Sequence, residues 1–504
     1  MRHIYIRLYG GVMIRNEYVK QNELEMVSIE QLVPDNHILR KVNRGFDFSF
    51  VRERMEPLYC KDNGRPAIDP VVLFKMLFIG YMFGVRSERQ LVKEIEVNVA
   101  YRWFLNMNLT DKVPHHSTIS QNRRRRFDGT DVFRLLFEDI VQIAYQKGYI
   151  EGKTLYTDST HLKANANKNK FIKEVVSQNA KDYLKELDKA IDEDRKSHGK
   201  DSLPPKDHND EPDKKIKVST TDPDSGYMNR EGKPHGFYYL DHRTTDDKHN
   251  MITDVFISPG NINDSLVYLS RLNYQQDKFN FPLEAVGLDA GYHTPAICHG
   301  LVKRGIFGVV SYRKLGGIKG LLRKRYFTYN PESDCYICPE QQILKYRTTN
   351  RTGYREYISD PRICKACSRL QECTKSRNHT KLISRHLWED SSEQIKENRK
   401  SERGEHIKRR RSETIERSFA DAKQLHSYRY ARFRGQARVE TQSLMTAIVQ
   451  NIKKMVRLDA GSYKEKHNSS KNNLTRLLAL QFKYLMSFLR YRKKITSSSW
   501  AFQS

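Results

Sequence analysis

The amino-acid sequence predicts an α/β protein, in which a mixed sheet flanked by helices follows an all-helical region and is interrupted by a small cysteine-rich insert. Three observations support this prediction. The first 150 residues carry helix-capping signals at short intervals. From Leu155 onward, short runs of β-type residues alternate with helix-sized gaps. Five of the seven cysteines then fall between Cys335 and Cys373.

A strong positive charge is the main global signal in this chain of 504 residues. It has 89 Lys and Arg against 61 Asp and Glu, a formal net charge of +28. Such an excess indicates a polyanionic partner, most commonly nucleic acid, and the alternative is a basic surface that contacts only solvent. No apolar run approaches the roughly 20 residues that span a bilayer, and the opening residues are too polar for a signal peptide. Because the cysteine usage suits a reducing compartment, we expect a cytoplasmic protein that acts on DNA.

The N-terminal region contains several helix-start signals. Asp69 can cap one helix, and Ser87 opens a capping box for the next. Ser117 can cap a third helix, which carries four consecutive arginines, Arg123–Arg126. Successive short helices that end in an arginine-rich one predict a helix-turn-helix assembly that binds DNA. An ordinary helical bundle with a basic rim is the alternative.

Strand signals begin with LYTDSTHL at 155–162. The segments GFYYLDHRTT and MITDVFISPG are close enough to form a hairpin, and EAVGLDAGY and GIFGVVSY predict two further strands separated by a helix-sized gap. Before the hairpin, residues 163–235 form a lysine-rich insertion with few apolar residues. We expect this insertion to be mainly helical and to lie outside the core.

Three acidic residues lie in contexts that suit phosphodiester chemistry. Asp158 lies within the first strand, where an ionised side chain is poorly placed unless it is ligated. Asp289 ends the strand EAVGLDAGY, and Glu416 lies on the helix RRRSETIERSFADAK. Two Mg²⁺ ions about 4 Å apart can activate water or a sugar hydroxyl, and they need carboxylates from separate elements. Taken singly, each acid also has a structural interpretation, as a strand-end residue, a turn former or half of an ion pair.

Helical spacing supports the choice of Glu416. The predicted buried stripe, at i, i+4 and i+7, comprises Ile415, Phe419 and Ala422. Glu416 and Lys423 lie on the neighbouring stripe, so the carboxylate can hold a metal while the lysine contacts the DNA backbone. Glu413, one turn earlier on the same side, is the rival.

The insert contains a CxxC…CxxC pattern. Its cysteines are Cys335, Cys338, Cys364 and Cys367. Two such pairs can place four thiolates in a tetrahedral arrangement around one ion, which predicts a structural Zn²⁺. The 25 residues between the pairs exceed the commonest spacing of roughly 15–20, and ILKYRTTNRTGYREYIS can fill that span as a hairpin. Cys373 is a fifth thiol that can replace a neighbour, and reduced thiols in a metal-free loop are the alternative.

Basic residues mixed with aromatic ones, as in YRYARFR at 428–434, can neutralise phosphates and stack on unpaired bases. The candidates for DNA contacts are Lys423, Arg411, Arg429, Arg432, Arg434, Arg123 and Arg124. A charge run on a solvated face is the alternative, and it applies most to the two N-terminal arginines.

Four sequence blocks resemble the signature of bacterial insertion-sequence transposases with a DDE catalytic core. They are LYTDSTHLKANANK, SPGNINDS, GLDAGYHT and RRRSETIERSFADAK. The cysteine-rich insert is similar to that of one subgroup, the insertion-sequence family numbered eleven eighty-two. The resemblance runs from about residue 36 to about residue 452 and implies a ribonuclease H-like core. The metal-binding acids that it implies are Asp158, Asp289 and Glu416.

Three further positions can be compared with the family's motifs. The family's E-x6-K pattern falls on Glu416 and Lys423, which favours Glu416 over Glu413. The broader pattern expects an arginine four residues before the glutamate. Ser412 occupies that position in this sequence, and Arg411 lies one residue earlier. The role of Arg411 is therefore left open. The aspartate of SPGNINDS, at position 264, is a structural or accessory carboxylate to which we assign no metal.

We expect five segments along the chain. They are a helical DNA-binding domain at 1–150, the first part of the catalytic core at 151–314, a zinc-binding insert resembling a zinc ribbon at 315–405, the end of the core with the glutamate helix at 406–460, and a basic helical tail at 461–504.

The expected function is that of a DNA transposase. With two Mg²⁺ or Mn²⁺ ions it cleaves DNA at the ends of an insertion sequence and joins the freed ends to target DNA. Its partner is double-stranded DNA, both terminal inverted repeats and target, and we expect at least a homodimer without membrane contact. A nuclease of the same fold that cuts without joining is one alternative. A non-catalytic, zinc-containing DNA-binding protein is the other.

Overall fold

The structure is a computed structural model, and it describes most of the chain between residues 26 and 461. The described ranges are 26–60, 67–176, 181–204, 214–229, 234–312, 318 and 320–461. The predicted basic tail therefore lies outside the described residues beyond its first position.

The N-terminal region is helical, as predicted. Its α-helices are α1 (Ile29–Leu32), α2 (Ile38–Gly45), α3 (Ser49–Met55), α4 (Pro70–Met82), α5 (Glu88–Val97), α6 (Val99–Phe104), α7 (His116–Asn122) and α8 (Val132–Gln146). Asp69 caps α4 by accepting the backbone N–H of Val71, and Ser87 caps α5. The helix predicted from Ser117 begins at His116 and runs into a π-helical turn, Arg123–Phe127.

The core of this helical region is shared with the C-terminal part of the described chain. Buried side chains of α4 and α8, such as Phe78 and Ile140, belong to the same apolar cluster as Met445 and Ile448. The two latter residues lie in the helical segment 436–461. Burying apolar surface from both ends of the sequence in one core ties the N-terminal helices to the rest of the molecule.

The centre of the molecule is a mixed sheet. Its strands are β1 (Thr154–Lys163), β2 (Phe171–Val176), β3 (Lys214–Ser219), β4 (Gly226–Met228), β5 (Gly236–Asp246), β6 (Ile252–Pro259), β7 (Ala285–Leu288) and β8 (Phe307–Val310). The strand order is β2-β3-β4-β5-β1-β7-β8, and β6 pairs with β5. β5 is antiparallel to both β1 and β6, which confirms the predicted hairpin, whereas β1, β7 and β8 are parallel.

The lysine-rich insertion differs from the expectation that it is mainly helical. Its described residues contain one helix, α9 (Lys181–Ser197), but the described segments on either side of that helix form β2, β3 and β4. These strands extend the central sheet from β5. β2 is the edge strand of the sheet, and edge strands often carry lysine, so such a segment lacks a strong apolar signal.

Helices cover β7 and β8, the last two strands in the sheet order. The first of them are α10 (Asp264–Phe279) and α11 (Pro295–Lys303). Tyr268 and Leu272 of α10 and Ile297 of α11 pack with Val286 and Leu288 of β7 in one buried cluster. This packing holds the end of β7, and with it Asp289, in a defined place.

The cysteine-rich insert folds around a second, antiparallel sheet. Its strands, in the order β13-β12-β11-β10-β9, are β9 (Thr328–Asn330), β10 (Cys335–Ile337), β11 (Ile343–Thr349), β12 (Tyr354–Ser359) and β13 (Leu382–His386). Two short helices, α12 (Pro361–Lys365) and α13 (Leu370–Cys373), lie between β12 and β13. The predicted hairpin is confirmed as β11 and β12.

A run of helices leads from the insert back to the core. It comprises α14 (Glu389–Lys400), α15 (Glu402–Arg411), a π-helical turn (Ser412–Glu416), α16 (Arg417–Leu425) and α17 (436–461). The predicted buried stripe is confirmed, since Ile415, Phe419 and Ala422 are buried. None of the helices within the described ranges combines the length and apolar character needed to cross a bilayer.

Candidate active site and cysteine cavity

Asp158 and Asp289 lie side by side where β7 ends. β1 and β7 are parallel, and Thr157 lies opposite Leu288. The residues that follow these two are Asp158 and Asp289. Neighbouring strands lie about 4.8 Å apart, which brings the two carboxylates to one edge of the β1–β7 pair. Asp289 begins a short 3₁₀ turn, and its Oδ1 accepts the backbone N–H of Gly291 at 2.7 Å.

Glu416 reaches the same place from the helical run. The guanidinium of Arg411 donates one hydrogen bond to Asp158 Oδ2 at 2.9 Å and another to Glu416 Oε1 at 3.0 Å. One cation therefore joins two of the three predicted acids, which are far apart in the sequence. Glu413, the rival acid, is instead paired with Arg410 at 2.9 Å.

The π-helical turn explains the unusual position of this arginine. A π turn bonds residues five apart, whereas an α-helix bonds residues four apart. Arg411 precedes Glu416 by five residues, and the turn Ser412–Glu416 lies between Arg411 and α16. Arg411 therefore occupies, relative to Glu416, the place that an arginine four residues earlier has in a regular helix. This is why Ser412 can stand where the family pattern expects the arginine.

Burial changes the acidity of Asp158, whose side chain is only 19% exposed. Burial raises its pKa to about 6, and the neighbouring charge of Asp289 also raises it. Arg411 and the backbone N–H of Ser159 oppose this rise because they stabilise the ionised carboxylate. The two aspartates thus repel each other, and a cation between them relieves the repulsion.

Lys423 lies next to the first acid along β1. Its Nζ donates to Thr160 Oγ1 at 2.6 Å. Because side chains two apart on a strand share a face, Thr160 and Asp158 point to the same side of β1. Lys423 therefore contacts the strand that carries Asp158, and Glu416 is joined to that aspartate through Arg411.

Two further residues beside the acids were not assigned to the site from the sequence. A side chain at Gly291 would lie 3.0 Å from Asp289 Oδ1 and 3.9 Å from Asp264 Oδ2, so a second carboxylate flanks the same point. The Tyr292 hydroxyl is buried without a hydrogen-bond partner among the described residues. Burial raises its pKa, and the charges of Asp264, Asp158 and Asp289 add to the effect. The block SPGNINDS was the signal for Asp264, and Tyr292 lies in the block GLDAGYHT, where no role was assigned to it.

The cysteines of the insert divide into two groups. Four of them line one cavity of about 40 Å³, and these are Cys338, Cys364, Cys367 and Cys373. Cys335 is buried in β10 and does not line the cavity. The structure therefore brings together three of the four predicted ligands and adds the fifth thiol.

The predicted DNA-contacting residues have diverse surroundings. Arg123 forms an ion pair with Glu88 and stacks on the ring of Phe433, while Arg432 donates to the Val85 carbonyl at 3.1 Å. These two arginines join the N-terminal helices to the segment after α16. The remaining three are exposed at the surface, and they are Arg124, Arg429 and Arg434. Of these, Arg124 lines an open cleft that Arg432 also borders.

Neither the acids nor the thiols form a finished metal site. Within the described ranges, no three or more His, Cys, Asp or Glu side chains are already arranged around a metal position. At the acids, the guanidinium of Arg411 takes up part of the space between Asp158 and Glu416.

Comparisons with known families cover two separate parts of the chain. Residues 27–125 match the Transposase domain (DUF772), and residues 337–456 match the Transposase DDE domain. The first match spans α1 to α7, and the second contains Glu416 and Lys423. Asp158 and Asp289 lie outside both matches. No protein of curated function matches the chain.

The chain is thus a DNA transposase of the DDE class. The two matches support a DDE transposase of a bacterial insertion sequence, as the signature blocks implied. The subgroup numbered eleven eighty-two is consistent with these matches and stays a prediction.

Proposed function

We propose that this transposase cleaves DNA at the ends of an insertion sequence and joins the freed 3′ hydroxyls to target DNA, with Asp158, Asp289 and Glu416 as its catalytic acids. The observation that carries this proposal is the shared guanidinium of Arg411, which contacts Asp158 and Glu416 at 2.9 and 3.0 Å. Asp289 is adjacent to Asp158 through the register of β1 and β7. Acids from three separate elements thus meet at one edge of the sheet.

We also propose that the central sheet is a ribonuclease H-like core. The order β6-β5-β1-β7-β8 supports this, because three antiparallel strands are followed by two parallel ones. Strands β2 to β4 and the cysteine-rich insert are then additions to the core. Asp289 directly follows the carboxyl end of the parallel strand β7, with Asp158 beside it on β1, and α/β proteins usually bind their ligands at the carboxyl ends of such strands.

The acids suit Mg²⁺ or Mn²⁺. Carboxylate oxygens are the ligands that both ions prefer, and the buried hydroxyl of Tyr292 lies among the same charges without a hydrogen-bond partner in the described chain. Two bound ions would activate the attacking water or 3′ hydroxyl and stabilise charge on the phosphate. For Asp158 and Glu416 to serve as ligands, Arg411 must release at least one of them. Its guanidinium can then contact a DNA phosphate.

DNA is proposed to follow the basic surface between the N-terminal helices and the segment after α16. Arg86, Arg89 and Arg124 border an open cleft there together with Arg432. Lys163, at the end of the strand that carries Asp158, bridges to Tyr430 of the same segment. A second open cleft shares Arg86 and Arg432 with the first and is also lined by Tyr430 and by Ala164, the residue that follows this strand. Joining two element ends requires two sites, so we propose at least a homodimer.

A strand-transfer assay with labelled element ends tests the catalytic assignment. Asp158→Asn removes one charge at almost constant volume, so we expect cleavage and joining to fall by a factor on the order of 10³ while DNA binding is retained. Asp277→Asn is the matched control, because Asp277 is exposed on α10. Joining that persists in Asp158→Asn would refute the assignment. Cleavage without joining by the wild-type protein would favour the nuclease alternative.

A further inference from the structure

The cysteine cavity contains a different set of thiols from the one that the CxxC pairs predict. Cys338 directly follows β10, and Cys364 lies in α12. Cys367 lies just after α12, and Cys373 is the last residue of α13. All four border one cavity of about 40 Å³. A void of that size can hold more than one water-sized sphere, so it is large enough for a single ion.

Strand geometry keeps Cys335 away from this cavity. Leu344 lines the cavity and pairs with Tyr336 across the β10–β11 ladder. Paired residues share a face of the sheet, and successive residues alternate between faces. Cys335, one residue before Tyr336, therefore points to the opposite face. It cannot reach the cavity without a register shift of β10.

The backbone around two of the thiols is arranged as in a metal-binding turn. The backbone N–H of Gln342 donates to Cys338 Sγ at 3.3 Å, and Cys338 also accepts the N–H of Gln341 through its carbonyl at 2.9 Å. The N–H of Cys367 donates to the Cys364 carbonyl at 3.1 Å, which closes a tight turn between these thiols. An N–H directed at sulfur stabilises the thiolate, which is the form that binds metals.

The charges near the cavity also suit a cluster of thiolates. Lys381 lines it, and its Nζ donates to the Cys373 carbonyl at 2.7 Å. Four thiolates this close together need a cation between them.

We propose that Cys338, Cys364, Cys367 and Cys373 bind a structural Zn²⁺, and that Cys335 is not a ligand. The side chains must first turn toward a common point, since no three of them within the described chain already surround one. Each thiol releases its proton to solvent as its sulfur binds the ion. Four thiolates close the coordination shell at about 2.3 Å, so the ion does not take part in DNA cleavage.

Such an ion would hold together three segments of the insert. It would link the β10–β11 turn to α12 and α13, next to the apolar cluster of Tyr336, Leu344 and Tyr357. The insert is small, and small modules often depend on a metal for stability. The expected effect is therefore on the insert's folding and zinc content.

Zinc content of the full-length protein tests the assignment. We expect about one zinc ion per chain in the wild type, measured by inductively coupled plasma mass spectrometry after dialysis. Cys373→Ser should lower zinc retention at least about tenfold, whereas Cys335→Ser, the matched control in the same insert, should keep it. Zinc loss in Cys335→Ser with retention in Cys373→Ser would overturn the proposal, and so would a zinc-free wild type.

A rescue variant covers the case in which Cys373→Ser fails to fold. Imidazole is also a zinc ligand, so Cys373→His should restore zinc binding. In the Co²⁺-substituted wild type, we expect the intense sulfur-to-metal absorption of a four-thiolate site, weakened in Cys373→His. Unchanged Co²⁺ spectra in that variant would contradict the assignment. Because zinc content is measured without DNA, this result is independent of the proposed strand-transfer activity.

Discussion

At the scale of single residues, Arg411 determines what the carboxylates of the candidate active site contact. Its guanidinium is 17% exposed and is shared between Asp158 and Glu416. It neutralises charge where the acids would otherwise repel each other, and it occupies the space that a divalent ion needs. Sequence reasoning named Arg411 as a DNA contact. Its contact with the acids could not be predicted, because it depends on the π turn and on the packing of α15 against β7.

Removing this side chain should strengthen binding of divalent ions. In Arg411→Ala, Mn²⁺ no longer competes with a guanidinium for Asp158 and Glu416. We expect Mn²⁺ to bind about fivefold more tightly, the equivalent of roughly 1 kcal/mol for a partly exposed ion pair. Isothermal titration with Mn²⁺ measures the change. Arg409→Ala removes the same charge from an exposed neighbour and should leave the affinity unchanged.

Equal Mn²⁺ affinity in wild type and Arg411→Ala would show that the guanidinium and the ion do not compete. Arg411→Lys is informative in the same experiment. A lysine ammonium is a point charge that cannot bridge two carboxylates in the bidentate manner of a guanidinium. We therefore expect its Mn²⁺ affinity to lie between those of the wild type and Arg411→Ala.

At the scale of elements, the π-helical turn Ser412–Glu416 sets the position of Glu416, the proposed catalytic glutamate. A π turn leaves backbone carbonyls with irregular partners. Thr414 is fully buried, and its Oγ1 lies 2.9 Å from the Arg410 carbonyl and 3.1 Å from the Arg411 carbonyl. The hydroxyl thereby compensates for the irregular backbone hydrogen bonds. The helix and its buried stripe were predictable from periodicity, whereas the extra residue in the turn was not.

Thr414→Val tests the role of this hydroxyl. Valine has the same shape but cannot donate, so the partly buried carbonyls of Arg410 and Arg411 lose the hydroxyl that they share. We expect the free energy of unfolding to fall by about 1–2 kcal/mol, as measured by urea denaturation. Thr441→Val is the control, because Thr441 Oγ1 bonds one carbonyl, that of Ala437, within a regular helix. A loss no larger than that of the control would show that the π turn does not depend on Thr414.

The two insertions interact with each other, which their separate places in the sequence did not suggest. Asp194 of α9 accepts hydrogen bonds from Arg355 Nε at 2.8 Å and from Thr349 Oγ1 at 2.5 Å. His198 stacks on Tyr346 with ring centroids 3.9 Å apart. The lysine-rich insertion thus supports the sheet of the cysteine-rich insert. Each segment alone exposes polar residues whose partners lie on the other.

At the scale of the whole molecule, buried histidines couple stability to pH. Burial lowers the pKa of His242, His386 and His426 to about 4, from an ordinary value of 6.5. Below pH 6.5 the unfolded chain takes up protons at these residues and the folded protein does not. Stability is therefore present above pH 6.5 and is lost as the pH falls from 6.5 toward 4. Each histidine contributes about 1 kcal/mol per pH unit in this range.

His426→Asn should reduce this pH dependence. The asparagine amide can donate to the Tyr81 carbonyl, which His426 Nδ1 contacts at 2.9 Å, but it does not titrate. We expect the unfolding temperature to fall less between pH 7 and pH 5 in the variant than in the wild type. His406→Asn changes an exposed histidine and should follow the wild type. Identical pH profiles for His426→Asn and wild type would contradict the assignment of a buried neutral imidazole.

The sequence by itself determined the helical N-terminal region, the five strands β1 and β5 to β8, the hairpin of the insert and the transposase class. Caps and periodicity predict the helices and strands, and the resemblance of the signature blocks implies the class. All of these are local properties of the chain. Only the tertiary structure decided that Arg411 is shared between Asp158 and Glu416. It also decided that Cys373, and not Cys335, borders the cavity, and that helices from both ends of the described chain share one core. These features depend on contacts between residues distant in sequence, and a single sequence does not record which of them meet.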